Sequence, residues 1–139
     1  MTVVIDTSVF VAALMSADGG ARAVLRFCLQ GELSPVMGHK LFLEFVDLFE
    51  RPKLFDRSPT SESDRRELFE GFVAKCRWVE VHFLWRPNLP DEGDNHVLEL
   101  AVAAGAEAVV THNLADFRGE LKFPGVSILT PAQFLESMR

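Results

Sequence analysis

Asp6, Glu44, Asp94 and Asp116 stand where a chain this apolar is expected to carry a hydrophobe or a turn residue. Asp6 closes the short β-branched run Val3-Val4-Ile5 and precedes Thr7-Ser8, the pattern of a buried strand that delivers a carboxylate at its C-terminal end. In open α/β sheets that edge is the usual ligand site. On a helical projection Glu44 falls beside Leu41 and Leu48, at the margin of the stripe that Phe45 continues, while Asp94 falls among Val97, Leu98 and Ala101 on the inward side. Asp116 follows the apolar run Ala108-Val109-Val110-Thr111. Each acid also has an ordinary explanation. Glu44 fits a boundary residue paired with a neighbouring base, Asp94 a first-turn acid, and Asp116 a turn residue; Asp91 fits a helix cap, an outer supporting acid or an auxiliary ligand. Four acids sent from separate elements to one sheet edge are better explained together. Crowded carboxylates repel unless they are protonated or bind a cation, and hard oxygen ligands suit Mg²⁺ or Mn²⁺.

The elements that must position them follow from the apolar periodicity. After the first strand, Thr7 or Ser8 caps a helix carrying Val9, Phe10, Ala13 and Leu14, which Asp18-Gly19-Gly20 breaks. A second helix is expected from about Ala21 to Gln30, a short strand interrupted by Pro35 between Leu33 and Met37, and an amphipathic helix from Gly38 to Glu50. Ser61 or Ser63 opens the next helix, and Trp78-Val79-Glu80-Val81 alternates as a strand does. A loop over Pro87 to Pro90, a helix from Asp91 to Ala104, strands at Ala108–Thr111 and Val126–Leu129 and a closing helix from Pro131 to Met138 complete the chain. Helices separate most strands, so the expected fold is a three-layer α/β/α with a mainly parallel central sheet, formed by residues 1–139 as a single domain.

At 139 residues the chain is long enough to bury a real core. It has no apolar run near the roughly 18 residues of a membrane span, and Asp6 interrupts the N-terminal run before a signal peptide forms, so a cytoplasmic location without membrane contact is expected. Cys28 and Cys76 lie in apolar helical patterns without C-x-x-C spacing, as buried free thiols do. The net charge of -6 argues at first against a nucleic-acid partner. Setting aside the four candidate ligands leaves acids and bases nearly balanced, so the argument is weak. Arg22, Arg26, Lys40, Arg51, Lys53, Arg86, Arg118 and Lys122 are available for phosphates, and Trp85-Arg86 for stacking a base, although solvated bases and a packing tryptophan are the commoner situations. His39, His82, His96 and His112 lack zinc spacing.

Several segments carry a resemblance, in order and in spacing. Val4-Ile5-Asp6-Thr7-Ser8-Val9-Phe10, Leu43-Glu44-Phe45 followed by Arg51-Pro52-Lys53-Leu54, Asp91-Glu92-Gly93-Asp94-Asn95 before Leu98-Glu99-Leu100-Ala101, and Val110-Thr111-His112-Asn113-Leu114-Ala115-Asp116-Phe117 resemble the PIN domain family, as does the closing Ile128-Leu129-Thr130-Pro131-Ala132-Gln133-Phe134-Leu135. The branch it most resembles is that of the VapC-like ribonuclease toxins of toxin–antitoxin pairs. The resemblance implies a PIN-like fold and a Mg²⁺- or Mn²⁺-dependent ribonuclease whose acidic pocket is Asp6, Glu44, Asp94 and Asp116, with Ser8 supporting the first aspartate. It further implies an RNA substrate, a small antitoxin partner and a homodimer. One departure stands out: many members place an aspartate directly after the Thr-x pair, where this chain has Asn113, so the fourth acidic role passes to Asp116.

Other functions compete. A PIN-like interaction or scaffold protein with an impaired pocket is the alternative, and Asn113 is its sequence hint. An aspartyl-phosphate phosphatase fits poorly, because Ser8 occupies the place of the second phosphatase aspartate; no acidic pair of the kind a receiver domain needs is present. A dinucleotide dehydrogenase lacks its G-x-G-x-x-G.

Overall fold

The computed structural model describes residues 1–16, 18–81, 95–117 and 125–138. Within them β1 (Thr2–Ile5), β2 (Ser34–Met37), β3 (Arg77–Trp78), β4 (Ala108–Val110) and β5 (Ser127–Leu129) form one sheet in the order β3-β2-β1-β4-β5. Every pairing is parallel. Parallel strands covered on both faces need apolar residues at every position, and Val3, Val4, Ile5, Val109 and Val110 are all buried.

The chain leaves β1 through α1 (Thr7–Met15) and α2 (Gly20–Leu29) to β2, then through α3 (His39–Phe49) and α4 (Glu62–Lys75) to the edge strand β3. It returns by way of α5 (Asn95–Ala104), which packs on β1, β2 and β4, and ends in α6 (Pro131–Ser137) against α2. Right-handed crossovers running in opposite directions put their helices on opposite faces, which gives the expected three-layer α/β/α arrangement. The reversal also opens a crevice between the C-terminal ends of β1 and β4, the place where sheets of this kind bind ligands.

Three local expectations change. The cap of α1 is Asp6, whose carboxylate accepts the Thr7 N–H, because the hydroxyls of Thr7 and Ser8 are engaged elsewhere. Pro35 does not interrupt β2: the Ser34 N–H bonds Met1 O on the β1 side, so by strand alternation the N–H that Pro35 lacks would face β3, which begins only opposite Val36. The strand expected over residues 78–81 is instead Arg77–Trp78, followed by one further bond to β2 from the Val79 N–H to Met37 O at 2.9 Å. The loop over residues 87–90, Trp85, Arg86 and the first turn expected for α5 lie outside the described residues.

An aromatic cluster holds the helices that carry the acids. Phe10 of α1 meets Phe45 and Phe49 of α3 at ring-centroid distances of 5.5 and 5.9 Å, and Phe69 and Phe72 of α4 at 5.8 and 5.4 Å. Phe10, Phe45 and Phe72 are buried. Because Phe45 adjoins Glu44 and Phe10 lies within one turn of Thr7, this packing sets the distance between the two polar groups.

Candidate active site

Asp6 sits at the crevice with only 3% of its surface exposed. A carboxylate so buried must be hydrogen-bonded. Oδ1 accepts the Thr7 N–H at 2.9 Å, and Oδ2 accepts both the Ser8 hydroxyl at 2.8 Å and the Thr111 hydroxyl at 2.7 Å. Thr111 reaches Asp6 because β1 and β4 pair in register through Ile5 and Val110, the residues just before each of them. Burial pushes the Asp6 carboxyl above the usual aspartate range; the Thr111 and Ser8 hydroxyls oppose that shift, and the nearby Glu44 charge adds to it.

Glu44 is half-buried and accepts the Thr7 hydroxyl on Oε1 at 2.7 Å. Its Oε2 lies 2.8 Å from Nε2 of His96 on α5. Burial alone would raise the Glu44 carboxyl, but the hydrogen bonds from His96 and Thr7, with the His96 charge, outweigh it and hold the group below the ordinary glutamate value. Thr7 therefore links the acids: its backbone N–H serves Asp6 and its side chain serves Glu44. The partner of Glu44 is not the surface base that its helical position suggests.

The structure thus brings Asp6, Ser8 and Glu44 together. Ser8 in addition accepts the His112 N–H at 3.1 Å, which ties the start of α1 to the segment after β4. Asn113 is exposed, and its backbone N–H bonds the Thr111 hydroxyl at 3.0 Å. Asp116 belongs to a single 3₁₀ turn, Leu114–Phe117, close after β4, and its side chain is outside the described residues, as are Asp91 and Asp94. Among the described residues no group of three or more His, Cys, Asp or Glu gathers as a metal cage does. The donors present still suit a hard cation. A carboxylate has about four acceptor positions, so three bonds leave Asp6 one and two bonds leave Glu44 two, among the described contacts.

Sequence reasoning missed Thr7, Thr111 and His96 as partners. Thr7 and Thr111 stood inside quoted motifs and carried a signal as hydroxyls beside strand ends; His96, two positions from Asp94, was read only for zinc spacing. Thr111 is fully buried, so Thr111→Val keeps the shape and removes one donor from a buried carboxylate. Urea unfolding at neutral pH is expected to show a loss of about 2 kcal/mol. Unchanged stability would show that Asp6 does not depend on that hydroxyl.

The sequence pattern that describes the PIN domain matches residues 2–115. The chain belongs to the PIN domain family. The match includes Asp6, Glu44, Asp94 and Asn113 and stops one residue before Asp116. No curated protein matches this PIN domain chain. Among solved structures it is similar in fold to a chain of the VapBC2 crystal structure from Rickettsia felis, bound to a DNA fragment from the promoter, with a TM-score of 0.58, 11% sequence identity, and coverage of 92% of this chain and 97% of that one.

Proposed function

We propose that this PIN domain is a Mg²⁺- or Mn²⁺-dependent endoribonuclease, the toxin of a toxin–antitoxin pair, acting in the cytoplasm as a homodimer of single-domain chains. The observation that carries the reading is the buried Asp6, joined to Glu44 through Thr7 at the crevice where the sheet order reverses. A raised carboxyl beside a second acid is the electrostatic condition that a bound cation relieves. Asp6 and Glu44 would hold the metal with Asp94 and Asp116, and the cation would supply Lewis acidity at the scissile phosphate. The chain's own part is orientation. Thr111 and Ser8 fix one oxygen of Asp6, while Thr7 and His96 fix both oxygens of Glu44, so neither side chain must be ordered when RNA arrives. The fold shared with the Rickettsia felis complex supports a small antitoxin as partner.

A scaffold protein with an impaired pocket is the second reading, and Asn113 in place of the commoner aspartate is its sequence hint. Purified protein incubated with single-stranded RNA in Mg²⁺, Mn²⁺ or EDTA separates the two. Cleavage that EDTA stops supports the nuclease, whereas metal-independent inertness supports the scaffold.

The fourth acid has its own test. Asp116→Ala is expected to lower Mn²⁺ affinity and cleavage by about tenfold to a hundredfold, because the pocket loses a charge that balances the cation. Asn113→Ala is expected to leave metal affinity within about twofold, since the Asn113 side chain is neutral and its backbone N–H, which bonds Thr111, is retained. Calorimetric Mn²⁺ titration of both variants reads the difference, and wild-type behaviour of Asp116→Ala removes Asp116 from the site.

A further inference from the structure

Beside the acidic pair lies a groove of 760 Å³ that the catalytic reading leaves unused. Gly38, Lys40, Trp78, His96, Glu99 and Leu100 are among its walls. His96 belongs to both places, since its Nε2 bonds Glu44 while its ring lines the groove. The groove wall is built without a cap on α3. Gly38 is the N-cap residue and offers no side chain; a Cβ there would stand 3.1 Å from Leu100 Cδ1 and 3.6 Å from Val79 O. The first backbone N–H groups of α3 and the Lys40 ammonium are therefore donors on that side.

The opposite chemistry comes from α5. Glu99 is only 5% exposed, yet its Oε1 has no hydrogen-bond partner. Nδ1 of His96 is the other buried side-chain atom without one among the described residues. Native proteins seldom leave such groups unpaired, and an ionised carboxylate accepts hydrogen bonds only. His96 and Glu99, the residues that carry these atoms, both line one groove, which also exposes Trp78, 52% accessible and backed by Phe42 at 5.3 Å. A ligand that satisfies this groove brings hydrogen donors for Glu99, acceptors for the α3 side, and a flat face for an aromatic ring.

We propose that the groove is a base-recognition subsite of the same RNA-binding surface, selecting guanine next to the bond cleaved. Guanine alone of the four RNA bases presents two adjacent donors, N1–H and the N2 amine, which match the two oxygens of one carboxylate, and it carries O6 and N7 as acceptors. Adenine, cytosine and uracil each offer a carboxylate one donor group. Single-stranded RNA is read in this manner, by stacking on an aromatic ring and bonding at the Watson–Crick edge. The inference rests on the ribonuclease reading for its substrate class, and its test does not require cleavage.

The test is a titration of GMP, AMP, CMP and UMP into ¹⁵N-labelled full-length protein in EDTA, followed through the Lys40 and Glu99 amides. The phosphate is common to all four, so differences report the base. GMP is expected to bind about tenfold more tightly than the others. Glu99→Gln, close in shape, is expected to remove that preference, and Trp78→Ala to weaken all four nucleotides by about fivefold while keeping their order. Equal affinities in the wild type, or an undiminished GMP preference in folded Glu99→Gln, would overturn the subsite. If Glu99→Gln does not fold, the wild-type order and the uniform loss in Trp78→Ala decide. Failure here with EDTA-sensitive RNA cleavage intact leaves the nuclease reading standing; GMP preference without cleavage leaves the subsite and removes the nuclease.

Discussion

Asp6→Asn is expected to lower RNA cleavage by at least about a hundredfold, while the metal-free protein melts no lower than wild type. Losing a group that merely orients a metal ligand costs about 10- to 100-fold, and loss of the ligand's own charge costs at least as much. The stability expectation follows from the proton. Burial holds the folded Asp6 carboxyl above its unfolded value, so between the two the folded state binds more protons than the unfolded state does. Its contribution is therefore full below the unfolded aspartate value, falls as pH rises through the folded value, and stays diminished at neutral pH. Asparagine carries no such penalty, and the rotatable hydroxyls of Ser8 and Thr111 can still bond an amide. In EDTA the advantage of Asp6→Asn should be largest at neutral pH and shrink below about pH 4. Glu44 works in the opposite sense: its lowered carboxyl contributes stability above the ordinary glutamate value and loses it as the solution is acidified. Thermal melts across pH in EDTA, with cleavage assays in Mn²⁺, check both expectations. A large drop in melting temperature at neutral pH would assign Asp6 to capping α1, and retained cleavage would remove it from catalysis.

Phe10→Ala is expected to cost about 3 to 5 kcal/mol of folding stability, a large share of the roughly 5 to 15 kcal/mol that domains possess. The ring is 1% exposed and touches four other rings, three of them within 14° of perpendicular, the edge-to-face arrangement that aromatic quadrupoles favour. Those rings come from α3 and α4, so the cavity would open between the helix that begins at Asp6 and the one that carries Glu44. Activity should fall as well in the fraction that stays folded, because a shift of α3 lengthens the 2.7 Å bond from Thr7 to Glu44. Guanidinium unfolding measures the first effect. A loss below about 1 kcal/mol would mean that the cluster closes over the vacated space.

What the sequence alone determined is local. The run Val3-Val4-Ile5 is too apolar to be anything but a covered strand, and an acid directly after it must emerge at the C-terminal end. The helical stripe around Leu41 and Phe45 likewise places Glu44 at its margin, and the structure leaves that residue half-buried. Strand order and register decided the rest. Asp6 and Thr111 are 105 residues apart, and they meet because Ile5 pairs with Val110 rather than with a neighbour one position away, a choice made by packing both faces of the sheet. His96 could not be read as the partner of Glu44, since 52 residues separate them and only the packing of α5 near α3 brings the ring within 2.8 Å. The titration behaviour also belongs to the tertiary structure. Asp6 and Glu44 begin as ordinary carboxylic acids, and their shifts diverge because one is enclosed with burial dominant while the other gains an imidazole as well as a hydroxyl. Periodicity along a chain records which side of an element is buried; it does not record which atoms arrive from elsewhere to share that burial, and those atoms fix the charge of this site.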